Sequence, residues 1–428
     1  DTGEVTEDVE VDQESNNLTT SGTLTITDVD DNDTPAFNPN GIFNTSGSTN
    51  AIPLGALTIT SNGEWTYTVD NDAVQYLDDN EIVTEIYTVS ATDGTTSEVT
   101  ITINGADDPS EITVGEGDSD MGEVTEDVDV DEESNTLETT GSLTISDADT
   151  SDNPAFNPSG AFKPYGSTNA IPLGKLTITS DGEWTYTVDN DAVQYLDDNE
   201  TVTEIYMVSA TDGTTSEVTI IINGAEDPSE ITVGEGDSDT GSVTEDVDVD
   251  DESNTLETTG SLTISDLDTS DNPAFNPSGA FKPYGSTNAI PLGKLTITSD
   301  GEWTYTVDND AVQYLDDNET VTEIYMVSAT DGTTSEVTII INGAEDPSEI
   351  TVGEGDSDTG SVTEDVDVDD ESNTLETTGS LTISDLDTSD NPAFNPSGAF
   401  KPSGSTNSIP LGTLTITSDG EWTYTVDN

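Results

Sequence analysis

Leu176-Thr-Ile-Thr-Ser-Asp-Gly-Glu-Trp-Thr-Tyr-Thr-Val188 alternates apolar and polar residues on both sides of Asp181-Gly182. Successive side chains of a strand point to opposite faces and an Asp-Gly pair favours a tight turn, so this stretch predicts a β-hairpin. Leu176, Ile178, Trp184, Tyr186 and Val188 face the core in this reading, and the threonines between them point outward. Trp184 and Tyr186 also have the chemistry of a sugar-stacking platform, but aromatic residues on the apolar face of a hairpin are more often core.

Outward from the hairpin the same words recur. Trp65, Trp184, Trp303 and Trp422 fall 119 residues apart, as do the Val-Thr-Glu-Asp tetrapeptides beginning at Val5, Val124, Val243 and Val362. The 428 residues hold three periods and 71 residues of a fourth, and the last copy stops at Asn428 without its second half, as a window cut from a longer array would. A unit of this size matches an immunoglobulin-like sandwich and exceeds a solenoid repeat, so each copy is expected to fold as a domain. Pro ends a strand, which sets the joints at Asn104 to Pro109, Asn223 to Pro228 and Asn342 to Pro347. The domains are then 1–108, lacking its N-terminal strand, 109–227, 228–346 and a partial copy, 347–428. Further strand-like runs are Leu137 to Ser146, Thr201 to Ala210, Ser216 to Ile222, Ser229 to Val233 and Ser242 to Val249, for roughly seven strands per unit. Asp191 to Leu196 alone reads as a short helical turn.

Composition narrows the chemistry. Acidic residues number 92 against 5 basic ones, for a net charge of −87, and the chain has no His and no Cys. Nucleic acid and anionic membrane surfaces demand clustered basic residues, and Lys163, Lys175, Lys282, Lys294 and Lys401 are scattered. Without imidazole or thiol, the usual nucleophile arrangements, zinc sites and thiol redox chemistry are excluded, and no catalytic residue is assigned. What is left is carboxylate, hydroxyl and amide oxygen, the ligand set of Ca²⁺. No window approaches the ~20 apolar residues of a membrane span. Small secreted domains without disulfides need another source of stability, and a metal is the expected one.

Acids recur at strand ends, in the second copy at Glu126-Asp127, Asp147-Ala-Asp149, Leu196-Asp-Asp-Asn-Glu200, Ala210-Thr-Asp212-Gly and Asn223-Gly-Ala-Glu226-Asp227-Pro228. Any one of them is as readily a turn residue bonded to its own backbone. As a group, close carboxylates repel one another unless a cation neutralises them. Val-Thr-Glu-Asp, Gly-Ser-Leu-Thr-Ile-Ser-Asp-x-Asp, Asp-Gly-Glu-Trp-Thr-Tyr-Thr-Val-Asp-Asn, Ser-Ala-Thr-Asp-Gly-Thr-Thr and Asn-Gly-x-x-Asp-Pro follow in that order over nearly the whole chain. This set resembles the VCBS repeats of giant bacterial adhesins and, more distantly, the calcium-binding motifs of cadherin repeats. The resemblance implies an all-β rod of tandem immunoglobulin/cadherin-like sandwiches with Ca²⁺ at the joints. Carried over by position, the first joint uses Glu7, Glu81, Asn104, Asp107, Asp108, Asp147, Asp149 and Asp212. The second uses Glu126, Glu200, Asn223, Glu226, Asp227, Asp266, Asp268 and Asp331, and the third Glu245, Glu319, Asn342, Glu345, Asp346, Asp385 and Asp387. The linker departs from the cadherin Asp-x-Asn-Asp pattern, and an additional Glu-Gly-Asp-Ser-Asp stretch, Glu235 to Asp239, follows the joint, so sites within a domain stay open beside sites between domains.

The expected role is that of an extracellular, cell-surface spacer in an adhesin of cell adhesion and biofilm, stiffened by calcium, with further copies of the repeat as its partners. Two readings stand beside it. In one, the copies bind a surface polysaccharide through the loop from Asn153 to Asn169, which holds Phe156, Phe162 and Tyr165; in the other, neighbouring rods assemble into a filament or sheath. Outward Thr pairs such as Thr177/Thr179 and Thr185/Thr187 suit ice binding less than they suit ordinary exposed strands.

Overall fold

In the computed structural model, which describes every residue except 31 and 397, the chain is all-β apart from single 3₁₀ turns. It divides into two compact units, Asp1–Glu226 and Asp227–Asn428. The second repeat, which lies within the first unit, has nine strands: β1 Glu111–Thr113, β2 Met121–Thr125, β3 Thr136–Ser142, β4 Thr144–Ser146, β5 Ala161–Phe162, β6 Gly174–Ile178, β7 Glu183–Asp189, β8 Thr201–Ser209 and β9 Thr215–Asn223. One sheet has the order β3-β7-β6 and another β5-β8-β9-β2, while β1 pairs with β4. Trp184, Tyr186, Leu176 and Ile178 from the first meet Val202, Tyr206, Val218, Ile220 and Ile222 from the second in one buried cluster, which makes the repeat a β-sandwich. The first and third repeats have cores of their own with the corresponding residues.

The hairpin forms where the alternation puts it. Gly182 donates its N–H to Thr179 and Thr179 donates to Glu183, closing a turn in which Gly182 takes φ +93°. A β-carbon there would fall 2.0 Å from the Leu143 carbonyl oxygen. Gly182→Ala is therefore expected to cost the repeat about 2 kcal/mol, read as a lower melting temperature for that domain.

Three elements differ from the sequence reading. The run from Ser242 to Val249 is a strand only to Thr244, because Asp246 and Asp248 take φ of 58° and 55° and Val247 turns out to solvent. The run from Leu137 to Ser146 breaks at Leu143, which is buried and donates its N–H to Gly182; the chain leaves one sheet there and β4 joins β1. The helical turn is confined to Asn190–Ala192, capped by the Asp189 carboxylate.

The inward side of β8 carries a carboxyl group. Glu204 is fully buried between Val202 and Tyr206, and its carboxyl accepts from the Leu173 N–H and from the hydroxyls of Tyr186 (2.8 Å) and Tyr206 (2.9 Å). Burial, then the Glu204 carboxyl, holds both tyrosines above their ordinary ionisation range. Glu85 and Glu323 occupy the same place in their repeats.

Candidate metal centre

The site at the first joint is assembled from three pieces of chain. The first is the end of strand Thr2–Thr6, where Glu7 donates its N–H to the Asn104 carbonyl and then, at Asp8, the backbone turns with φ 55°. Asp in place of a β-branched residue makes that turn accessible. Gln75 Nε2 holds both acids, at 2.7 Å to Glu7 and 3.1 Å to Asp8, and Asn71 Nδ2 adds 2.7 Å to Asp8. Glu7 is fully buried. Burial pushes its carboxyl up from the ordinary 4.5 to about 7; the Ala106 N–H opposes the rise, and Asp108, Asp149 and Asp8 add to it.

The second piece is the linker. Gly105 runs so close over the preceding loop that a β-carbon would lie 2.3 Å from the Leu77 carbonyl, which explains the Gly at the joint. Asp107 and Asp108 follow, and the Asp108 N–H donates to Asp149 Oδ2 at 2.8 Å. The third piece comes from the head of the second repeat. Ser110 ties the linker to it, its N–H donating to Asp212 (2.7 Å) and its hydroxyl to Asp147 (3.1 Å), while Asp149 donates its own N–H to Asp147. Thr150 donates its N–H and hydroxyl to the Tyr76 carbonyl at 3.3 and 3.2 Å, and the Ser151 hydroxyl donates to Asp78 at 2.9 Å.

Oxygens of Asp78, Asp107 and Asp149 lie within 4.8 Å of one another, as do those of Asp147, Asp149 and Asp152. Asp108 Oδ2 and Asp149 Oδ1 are buried without a hydrogen-bond donor. Burial raises both carboxyls, and the neighbouring charges that raise them further are other carboxylates: Asp8, Asp149, Asp147 and Asp107 around Asp108, and Asp78, Asp147 and Asp107 around Asp149. Asp212 is the opposite case, held below the usual range by the Thr214 and Ser110 N–H groups. Hard oxygen donors with donor-free buried lone pairs suit a hard divalent cation. At Ca²⁺–oxygen distances near 2.4 Å, two ligands of one ion lie at most about 5 Å apart, which the cluster satisfies.

The third joint, inside the second unit, repeats the pattern. Glu245 is fully buried and burial lifts it to about 7; Asp346 donates its N–H to Asp387 (2.8 Å), and Ser348 donates to Asp385 (2.7 Å). Asp346 Oδ2 and Asp387 Oδ1 are buried without a donor. Thr388 and Ser389 reach Tyr314 and Asp316 as Thr150 and Ser151 reach Tyr76 and Asp78. Exposed Glu345 is raised chiefly by Asp390. Residues assigned to the second joint divide between the two units. Glu126 is buried and bonded to Gln194 in one; in the other Asp227 donates to Asp268, and Ser229 to Asp331 and Asp266.

Not every residue assigned from sequence has its side chain at these clusters. Glu81 is exposed and meets the joint through backbone, donating to Asp78 and accepting from Gly105; Glu200 and Glu319 make the same backbone bonds, and their carboxylates also accept from the Asp197 and Asp316 N–H groups at 3.5 and 3.3 Å. The Asn104 amide donates to Glu4 (2.7 Å), Val5 and Thr6, the Asn223 amide to the corresponding residues, and Asn342 to Val243 and Thr244, so these amides join strands. Asp78, Asp152 and Asp8 were not among the ligands carried over, although Asp127 and Asp197, the counterparts of Asp8 and Asp78, stand in the recurring acidic runs. The run Leu77-Asp-Asp-Asn-Glu81 advertises acid there without telling which of its side chains turns inward. Of the loop aromatics, Phe156 is buried and Phe162 packs edge-on against Tyr206 at 5.7 Å, which leaves Tyr165, 87% exposed, as the one ring open to a ligand.

Solved structures similar to this chain include cadherin ectodomains and a bacterial adhesin. Protocadherin gamma B2 extracellular domains 1–5 align over 100% of this chain and 72% of their own at 11% identity, with a TM-score of 0.42. Mouse cadherin-23 domains 22–24 align over 81% and 96% at 13% identity and 0.36. A Ca²⁺-stabilised adhesin that helps an Antarctic bacterium bind ice aligns over 96% and 86% at 16% identity and 0.25. No protein-family model matches the chain, and no curated protein matches its sequence. Among the described residues no helix is long and apolar enough to cross a membrane.

Proposed function

We infer that this chain is a run of extracellular spacer repeats from a bacterial surface adhesin, with domains at 1–108, 109–227, 228–346 and 347–428 stacked as a rod whose joints are stiffened by Ca²⁺. The reading rests on one observation above others: at both joints described, buried carboxylate oxygens of the linker and of the next repeat, Asp108 and Asp149 in one, Asp346 and Asp387 in the other, face like charge and lack a donor. Asp107, Asp108, Asp147 and Asp149, with Asp78 and Glu7, would hold the ion in the first joint. Bound there, Ca²⁺ supplies positive charge that links two repeats through one set of ligands. Without it the carboxylates repel and the joint becomes a flexible linker. The similarity to tandem ectodomains and to a Ca²⁺-stabilised adhesin accords with this reading.

Small-angle scattering and a thermal melt, in millimolar Ca²⁺ and in chelator, test it. The maximum dimension and melting temperature are both expected to fall in chelator. Asp149→Asn retains an acceptor for the Asp108 N–H and removes one charge; it is expected to raise the chelator melting temperature by a few degrees and to abolish the response of the first joint to Ca²⁺. Identical scattering and melting with and without metal would leave a metal-independent scaffold.

A further inference from the structure

The first long strand of each complete repeat lies beside the last. In the second repeat β2 and β9 run parallel, with Met121 opposite Thr219, Gly122 opposite Ile220, Glu123 opposite Ile221, Val124 opposite Ile222 and Thr125 opposite Asn223. The ladder is extended at both ends, by the Thr219 N–H on the Asp120 carbonyl (2.8 Å) and the Glu126 N–H on the Asn223 carbonyl (3.0 Å). The Asn223 side chain then bonds Glu123 (2.7 Å), Val124 and Thr125 across the same seam. The first and third repeats have the same parallel pairs, Thr2–Thr6 with Thr100–Asn104 and Thr240–Thr244 with Thr338–Asn342.

Tension along the chain enters a repeat before β2 and leaves it after β9. It pulls β2 toward its N-terminal end and β9 toward its C-terminal end. Because the two strands point the same way, these pulls are opposed along their common axis, so the ladder is loaded in shear and its hydrogen bonds bear the force together. Adjacent antiparallel terminal strands would instead be peeled apart one bond at a time.

The acidic stretch after the joint belongs to the same device. Asp118 accepts from the Gly115 N–H (3.0 Å), the Ser142 hydroxyl (2.6 Å) and the Thr144 hydroxyl (2.7 Å), and these donors hold its carboxyl below the usual range. It pins the segment between β1 and β2 to strands β3 and β4. Asp237 and Asp356 make the same three contacts in their copies.

We propose that the parallel β2–β9 seam, with the Asp118 latch ahead of it, is a load-bearing shear clamp that lets each repeat resist tension as a unit. The spacer reading supplies the source of that tension; the clamp itself is made of backbone and amide contacts inside one repeat. It therefore holds whether or not metal occupies the joints.

The test is force spectroscopy on the full chain. Pulled from its two ends, it is expected to give high-force events, each releasing the roughly 100 residues behind the seam, about 35 nm of extended chain. The chain has no Cys, so Asp120→Cys with Thr215→Cys places a unique pair of handles at the same end of β2 and β9. This geometry peels the same seam in the same fold, and the second repeat is expected to open at a several-fold lower force. Equal forces in the two geometries would overturn the proposal. In chelator the end-to-end events are expected to persist at similar force; their disappearance would also overturn it, since the resistance would then lie in the joints. Persistence of those events together with scattering indifferent to Ca²⁺ would sink the metal-joint reading and leave the clamp standing. Asp118→Ala is expected to add an early low-force step as β1 is released, with the main event unchanged; loss of the main event would move the load from the seam to the latch.

Discussion

In chelator, the melting temperature of this protein is expected to fall as pH rises from about 4.5 to about 7, and millimolar Ca²⁺ is expected to cancel or reverse that fall. The sign follows from Glu7 and Glu245, whose carboxyls burial lifts from the ordinary 4.5 to about 7 in the folded chain. Between those values the unfolded chain has released its protons while the folded chain retains them, so the folded state binds more protons and stability declines with rising pH. Below about 4.5 the contribution is fully present; above about 7 it is gone. Asp108, Asp149 and Asp346 are raised as well and act in the same direction from lower pH. Asp118 and Asp212 are held down and have the opposite sign, but their loss of stability falls on the acid side of the window. Calcium competes with protons for the same oxygens, so its affinity is expected to climb through the window and to level off above it. At a hundredfold excess over Kd, one ion bound only to the folded state adds about 2.7 kcal/mol. Melts at half-unit pH steps, with and without metal, measure both slopes. Glu7→Gln with Glu245→Gln should flatten the chelator curve; a melting temperature in chelator that stays level or climbs from pH 5 to 7 would show that these carboxyls are not raised.

Replacing Glu204 by Ala is expected to lower the stability of the second repeat by about 3–5 kcal/mol. The Tyr186 hydroxyl and the Leu173 N–H lose their acceptor, the Tyr206 hydroxyl is left with the Gly174 carbonyl alone, and a cavity is left behind. The measurable result is a calorimetric transition for that repeat roughly ten degrees or more below the others. Glu204→Gln retains one acceptor oxygen and is expected to cost less than Ala. Leu173 belongs to the Ile-Pro-Leu segment that leads into β6, so proteolysis of this loop should accelerate in the Ala variant before the domain melts. An Ala variant that melts with wild-type repeats would show the carboxyl to be dispensable.

That residue also marks where the sequence was legible and where it was not. Alternation in Leu176 to Val188 gave the hairpin and its inward face because one face is dry and the other wet, and all five expected core side chains are buried. The same alternation set Glu204 on the inward side with Val202, Tyr206 and Val208, but in a composition full of exposed acid nothing marked it as buried. Alternation misled in Ser242 to Val249, since Asp tolerates the left-handed backbone and Asp-Val-Asp reads equally as a turn. The pairing of β2 with β9 left no trace in local pattern, because its partners lie 98 residues apart. At the joint, Asp107, Asp108, Asp147 and Asp149 were assigned through the cadherin resemblance, carried over by position, and the structure brings their side chains together. Asp78 was not assigned: it enters the cluster through a loop fold that four consecutive polar residues do not specify.

The parallel seam also bears on how such a chain acquires its structure. A repeat synthesised or exported from its N-terminus must keep its opening strand single until a partner arrives some hundred residues later, and contacts that distant slow folding. The closing strands Thr215–Asn223 and Thr334–Asn342 are identical in sequence, so either one can accept the opening strand of the other's repeat. Strand exchange between neighbours is thus the natural kinetic trap of the array, and the order in which copies emerge decides which closing strand is available first.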